Sequence, residues 1–144
     1  MQRTSALVGF KHIFPPAEFP FPDDAERSTW DRLLRSLEGT VLVTEVDGRP
    51  VAVAVVGKEE LLRFYVMPER WGTGVADHLH EEVIALVRSR GDAICRLWVL
   101  EENGRARRFY ERRGWLLDGR TRVARFPPYP AAVGYTLRIA SFQV

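Results

Sequence analysis

Two hydrophobic rhythms alternate along the chain. VLVTEVDGRPVAVAVV, residues 41–56, holds two β-rich apolar runs on either side of Asp47-Gly48. Glycine tolerates the positive φ of a tight turn, so this stretch predicts an antiparallel hairpin. LLRFYVM, from Leu61 to Met67, predicts a third strand that ends at Pro68, which has no N–H to give to a ladder. The rhythm then changes. Val75, Leu79, Val83, Leu86 and Val87 fall on one side of a helix from Gly74 to Arg90, with Gly91 as its stop. A fourth strand follows at Ile94 to Leu100. Strand, helix, strand in this order implies a parallel pair joined by a right-handed crossover, and hence a mixed sheet.

Helical spacing returns from Asn103 to Arg113, with Asn103 as N-cap, Ala106, Phe109, Tyr110 and Arg113 on one face, and Gly114 at the end. Two short strands are expected around Arg122 to Phe126 and Gly134 to Ile139, separated by the turn-prone PPYPAAVG. Upstream, Trp30, Leu33, Leu34 and Leu37 predict an amphipathic helix between Ala25 and Gly39. The proline-rich FPPAEFPFPDD before it predicts a loop over an apolar surface, with Phe14, Phe19 and Phe21 as core plugs or pocket lining. The fold class is α/β, in the α+β sense: a central, mixed, mostly antiparallel sheet flanked by helices.

Composition narrows the class of protein. The length of 144 residues suits a single domain, taken here as 1–144, with a helical and loop part over 1–40 and the main core over 41–139. Hydrophobic residues at 46% and charged residues at 28% argue for a globular chain. No apolar run approaches the roughly 20 residues that span a bilayer. The N-terminus lacks a signal-peptide pattern, so a cytoplasmic location without membrane attachment is expected. One cysteine, Cys95, and three scattered histidines make no metal-ligand spacing. Cys95 reads as a buried strand residue, and His78 and His80 as a surface imidazole or one satisfied inside the fold. The net charge of +2 is a weak nucleic-acid signal, and no recognisable nucleic-acid module accompanies it.

The chemistry lies in PERWGTGVA, residues 68–76. A helix start carries backbone N–H groups without intrahelical partners and the positive end of the dipole. Gly72 and Gly74 remove side chains that would hold a phosphate away, and Thr73 adds a hydroxyl, so the stretch is either an anion cradle or an ordinary glycine turn. A Walker loop would need a Gly-Lys-Ser/Thr ending, and a dinucleotide fingerprint a third glycine where Asp77 stands.

PERWGTGVA followed by a helix, a strand and NGRARRFYERRGW resembles the GNAT superfamily of N-acetyltransferases over about Val41 to Ile139. The resemblance implies a GNAT-like fold with a β-α-β core, and an acetyl-CoA pyrophosphate loop on Trp71, Gly72, Thr73, Gly74, Val75 and Ala76. Trp71 stands where the family has arginine or glutamine, with Arg70 one residue early. The family's second motif falls on Asn103, Ala106, Phe109, Tyr110, Gly114 and Trp115. By that likeness the backbone of Val66 and Met67 pairs with the pantetheine arm and polarises the thioester carbonyl. Asn103 meets the arm, Phe109 belongs to the cofactor-binding set, and Tyr110 protonates the departing thiolate.

The implied function is acetyl transfer from acetyl-CoA to a primary amine of a small molecule or peptide, with no metal. Glu45, Glu101 or Glu102 is the base, through water. An acyl-CoA sensor that transfers nothing is the alternative. Of the arginines Arg105, Arg107, Arg108, Arg112 and Arg113, one or two would face the CoA phosphates, and the sequence does not say which. The N-terminal part is shorter than the family pattern, so the FPPAEFPFP loop or a partner copy in a homodimer would complete the acceptor wall.

Overall fold

Asp47 and Gly48 both take left-handed backbone, with φ of 52° and 77°. A two-residue turn of that hand matches the twist of paired strands, and it joins β1 (Thr40–Val46) to β2 (Arg49–Gly57) in antiparallel register. The computed structural model describes residues 39–139. The expected helix from Ala25 and the FPPAEFPFPDD loop lie outside the described residues. β2 pairs antiparallel with β3 (Glu60–Val66), α1 (Val75–Ser89) crosses over, and β4 (Ile94–Leu100) returns parallel to β3. Then come α2 (Gly104–Arg112), β5 (Leu116–Val123) and β6 (Ala131–Arg138). The six strands lie in the order β1-β2-β3-β4-β6-β5, and every pair except β3 and β4 is antiparallel.

The core lies between one face of this sheet and the two helices. Leu79, Val83 and Val87 of α1 are fully buried against Ala52, Ala54 and Val56 of β2 and Cys95, Leu97 and Val99 of β4. Trp115 and Tyr135 extend the same cluster. Cys95 is buried as expected. Burial, with the Asp92 carboxylate nearby, pushes its thiol up to about 12, so it stays protonated and inert.

The last two strands differ from expectation. β5 begins at Leu116, not near Arg122, and β6 begins at Ala131, not Gly134. LLDGRTRV has no period-two alternation, and its residues are almost all exposed. Its conformation comes from pairing with β6, with a register shift between Leu117 and Thr121. Within that irregularity Asp118 accepts from the Arg120 N–H and guanidinium and from the Thr136 hydroxyl. Arg120 in turn reaches the carbonyls of Leu97 and Tyr135. This pair lies across β6 where Gly134 has no side chain. A Cβ there would come within 2.7 Å of both Arg120 Nε and Asp118 Oδ1.

His80, on α1, is 6% exposed and accepts a hydrogen bond from Trp115 Nε1 at 3.0 Å through its Nε2. A neutral imidazole with its proton on Nδ1 satisfies this contact. Protonation would set a donor against a donor in a dry site. Burial lowers the His80 pKa from 6.5 to about 4. The folded pKa lies below the unfolded one, so between these values the unfolded chain holds more protons and stability falls with falling pH. The expected loss between pH 6.5 and pH 4 is about 3 kcal/mol. Urea denaturation across this range measures it, and His80→Gln, which keeps an acceptor without the titration, should flatten the slope.

Candidate active site

Among the described residues β3 and β4 are the only parallel neighbours, and their single register pair is Glu60 with Arg96, at the start of β3. Beyond it the strands diverge toward Val66 and Leu100. Each is held firmly on its far side, β3 by β2 as far as Ala52↔Val66 and β4 by β6 from Ile94↔Arg138 to Leu100↔Ala132. A gap bounded by two strand edges is therefore built into the sheet. Met67 N–H donates to Val51 O at 2.8 Å. Alternation along an antiparallel ladder then turns the backbone edge of Val66 toward β4. Of the two residues expected to offer backbone to a ligand, Met67 has its N–H engaged by β2, and Val66 faces the gap with its carbonyl accepting from Trp71 Nε1.

The glycine loop lies at the mouth of this gap. Pro68–Arg70 form one short 3-10 turn, and Trp71 N–H donates to Pro68 O. Gly72 and Gly74 have φ of 75° and 90°, and an added Cβ at either would meet nothing within 4 Å. Gly74 is the N-cap of α1 and supplies no side-chain cap. The first intrahelical bond there is His78 N–H to Gly74 O, so the N–H groups of Gly74, Val75, Ala76 and Asp77 have no i−4 carbonyl. Thr73 differs from expectation: both its hydroxyl and its N–H donate to Arg70 O, closing the turn. The loop's donors are therefore backbone N–H groups, and Thr73 shapes the loop.

Asp77 would repel an anion at this helix start, but Arg113, at the far end of α2, forms an ion pair with it. Arg113 also stacks over Phe109, 3.5 Å from the ring centre, and donates to Phe109 O. Trp71 is half-buried and donates from Nε1 to Val66 O at 2.9 Å. The guanidinium of Arg105 lies over its ring, 3.6 Å from the centre. These two arginines tie α2 to both ends of the loop, and the sequence alone does not say which of the five make that connection.

Asn103 caps α2 as expected, its Oδ1 accepting from Ala106 N–H at 3.3 Å. Arg107 donates to the Tyr135 hydroxyl and to Glu101 O, each at 2.9 Å, fastening the helix to the middle of β6 and to the residue after β4. This fixes the face that carries Phe109 and Tyr110. Tyr110 is 8% exposed and is ringed by Phe64, Phe109 and Trp115 at centroid distances of 5.5–6.4 Å. Burial first, then the neighbouring Tyr65 on β3 and Cys95 on β4, hold its phenol well above the ordinary value. It stays a proton donor across the whole physiological range, near both strands that border the gap.

The three carboxylates considered as a base are spread out. Glu45 is exposed on the edge strand β1, opposite Pro50. Glu101 and Glu102 are exposed in the turn between β4 and α2. His78, exposed on α1, pairs with Glu82 at 2.8 Å and takes no part in the site. Among the described residues no group of three His, Cys, Asp or Glu side chains could hold a metal ion, and no helix is long and apolar enough to cross a membrane.

This geometry has parallels among known proteins. An uncharacterised N-acetyltransferase of Mycobacterium tuberculosis is 36% identical over 84 residues, 55% of this chain and 54% of that protein. The chain thus spans about half the length of the curated relatives it matches. The crystal structure of Ard1 from Thermoplasma volcanium superposes with a TM-score of 0.73 at 22% identity, over 80% of each chain. The PaiA N-acetyltransferase from Thermoplasma acidophilum, solved in complex with coenzyme A, gives 0.67 at 19% identity, over 92% of this chain and 86% of that one. At these identities the structures establish a shared fold. The model of the acetyltransferase (GNAT) family matches residues 7–115, three quarters of the sequence and both motif regions up to Trp115, and the chain therefore belongs to that family.

Proposed function

We propose that the protein moves the acetyl group of acetyl-CoA directly to a primary amine, carried by a small molecule or a peptide. One observation carries the reading: the uncapped glycine loop after β3 and the buried Tyr110 of α2 both adjoin the two central strands, β3 and β4, where they part. A thin, extended pantetheine arm fits a gap bordered by backbone, and a pyrophosphate fits the N–H groups at the start of α1. That the PaiA N-acetyltransferase was solved with coenzyme A supports the same co-substrate here.

On this reading Gly72, Thr73, Gly74, Val75 and Ala76 wrap the pyrophosphate, with Trp71 at its edge. The backbone of Val66 meets the pantetheine arm and polarises the carbonyl, Met67 shapes the end of the strand, and Phe109 lines the path beside Tyr110. Asn103 holds the start of α2 and presents its amide to the arm.

The neutral amine attacks the thioester carbonyl carbon, forming the C–N bond as the carbonyl oxygen takes up negative charge. Backbone N–H groups stabilise that charge without reorganising. Collapse breaks the C–S bond, and the sulfur takes the Tyr110 phenolic proton as the electron pair leaves with it. The proton of the new ammonium passes through water to a carboxylate, for which Glu45, Glu101 and Glu102 remain the candidates. Burial keeps the Tyr110 phenol protonated in the free enzyme; the same burial makes it a weaker acid, so the transfer depends on direct hydrogen-bond contact with the departing sulfur.

Tyr110→Phe should lower kcat by about 100-fold while leaving acetyl-CoA affinity unchanged, as read by free-CoA release and by calorimetry. Unchanged turnover would remove Tyr110 from the acid role. Free-CoA release across a panel of amines tests the whole assignment. Tight acetyl-CoA binding without turnover on any of them would favour the sensor. With an active acceptor, the rate should rise with pH as the amine deprotonates and show no descending limb below about pH 10, the ordinary phenol value, because Tyr110 ionises above it. A limb near pH 8 would assign the acid elsewhere.

A further inference from the structure

Five arginines lie along α2 and just beyond it, and their contacts distinguish them. Arg107 is engaged by the Tyr135 hydroxyl and Glu101 O. Arg113 is engaged by Asp77 and Phe109 O. Arg108 folds back over its own helix, with Nη1 at 2.9 Å from the place a Cβ on Gly104 would occupy. Arg112 is exposed in the last turn of α2, about two turns along the helix from Arg105. Arg105 reaches the start of the glycine loop, with its guanidinium carbon 3.6 Å above the Trp71 ring. Among the described residues no carboxylate or carbonyl takes its N–H groups.

Stacking on an aromatic face occupies the face of the guanidinium and leaves its in-plane N–H groups directed outward, the geometry that grips two phosphate oxygens at once. The platform is itself fixed. Trp71 packs against the core cluster, and its Nε1–H is held by Val66 O at 2.9 Å. The next residues along the chain are Gly72, Thr73 and Gly74, open to solvent, followed by the uncapped start of α1. A positive fork and a row of backbone donors thus face one opening, while the nearest acid, Asp77, is neutralised by Arg113.

We propose that Arg105, positioned on Trp71, is the cation that pairs with the pyrophosphate of CoA at the glycine loop. The assignment rests on the acetyl-CoA reading and adds to it a residue from a different element. Trp71, uncharged and set between loop and gap, serves as the mount for a charge supplied by α2. CoA recognition then depends on the distance between loop and helix being held, since neither residue alone provides an ordered cation.

Calorimetric titration of CoA and of dephospho-CoA into the intact protein tests this. Arg105→Gln should weaken CoA binding about tenfold, the size expected for loss of a charge-assisted contact. The same factor should appear with dephospho-CoA, which keeps the pyrophosphate and lacks the 3′-phosphate. The dependence of affinity on salt should become shallower. Trp71→Phe should retain most of the affinity and Trp71→Leu lose it. In the Trp71→Leu background Arg105→Gln should cost little more, because the two act as one unit. Arg112→Gln should bind as the parent does. If the parent binds CoA and Arg105→Gln binds it equally, the assignment of Arg105 fails by itself. If the penalty disappears with dephospho-CoA, the guanidinium serves the 3′-phosphate and the pyrophosphate assignment fails. A full tenfold loss on top of Trp71→Leu would overturn the mounting role. A parent protein that binds no CoA overturns the acetyl-CoA reading and this inference with it.

Discussion

A parallel strand pair that closes at only one end governs the rest of this molecule. β3 and β4 meet at Glu60 and Arg96 and then part, while antiparallel ladders on their outer sides hold each in place. Backbone groups along the two inner edges therefore lack each other as partners. Buried N–H and C=O groups must be satisfied somewhere, and the Val66 carbonyl finds its partner in Trp71 Nε1. The parting also explains the aromatic ring set beneath it. Phe64 on β3 meets Phe109 and Tyr110 on α2, filling with wide, flat side chains a space that paired strands would have closed. The protonation state of Tyr110 follows from that structural task, because the burial that makes it a filler also keeps it protonated.

With the sheet open between β3 and β4, the helices must hold the two halves at a set distance. α1 does so through apolar packing, its Leu79, Val83 and Val87 reaching both β2 and β4. α2 carries few apolar residues, and its hold is largely polar and aromatic. Arg107 reaches β6 and the end of β4, Arg113 reaches the first turn of α1, and Arg105 reaches the loop after β3. A helix with so many arginines looks like a solvated surface in sequence. In the fold it acts as a brace whose side chains cross to three separate elements.

Local signals made the first four strands and both helices legible. Asp47-Gly48 could only be a hairpin turn, Gly91 and Gly114 could only follow helix ends, and Asn103 was a cap by type and position. Where a conformation depends on a distant partner, sequence was silent. β5 is a strand because β6 lies beside it, and Gly134 is glycine because Asp118 and Arg120 cross above it. The site was legible to a similar depth. Its two motifs could be read from glycine, asparagine and aromatic spacing. Thr73 turning inward to Arg70, Met67 N–H engaged by Val51, and Arg105 mounted on Trp71 all depend on three-dimensional neighbours that no spacing encodes.

The glycines at the centre of the loop separate two demands that sequence alone runs together. Gly72 and Gly74 have positive φ, where an L side chain is strained whatever the surrounding space. The protein's own turn therefore requires them. Gly48 has almost the same φ and equally open space in the turn of an ordinary hairpin, so openness by itself marks no site. What differs at Gly74 is the next residue. The turn at Gly48 passes its backbone groups into a ladder with β1, which pairs them. The turn at Gly74 delivers them to a helix start with no side-chain cap, where a neighbouring arginine holds off the one acid and another stands above the tryptophan that opens the loop. The glycines shape the turn, and the helix start beyond it, with no side-chain cap, is what sets this turn apart from the hairpin at Gly48.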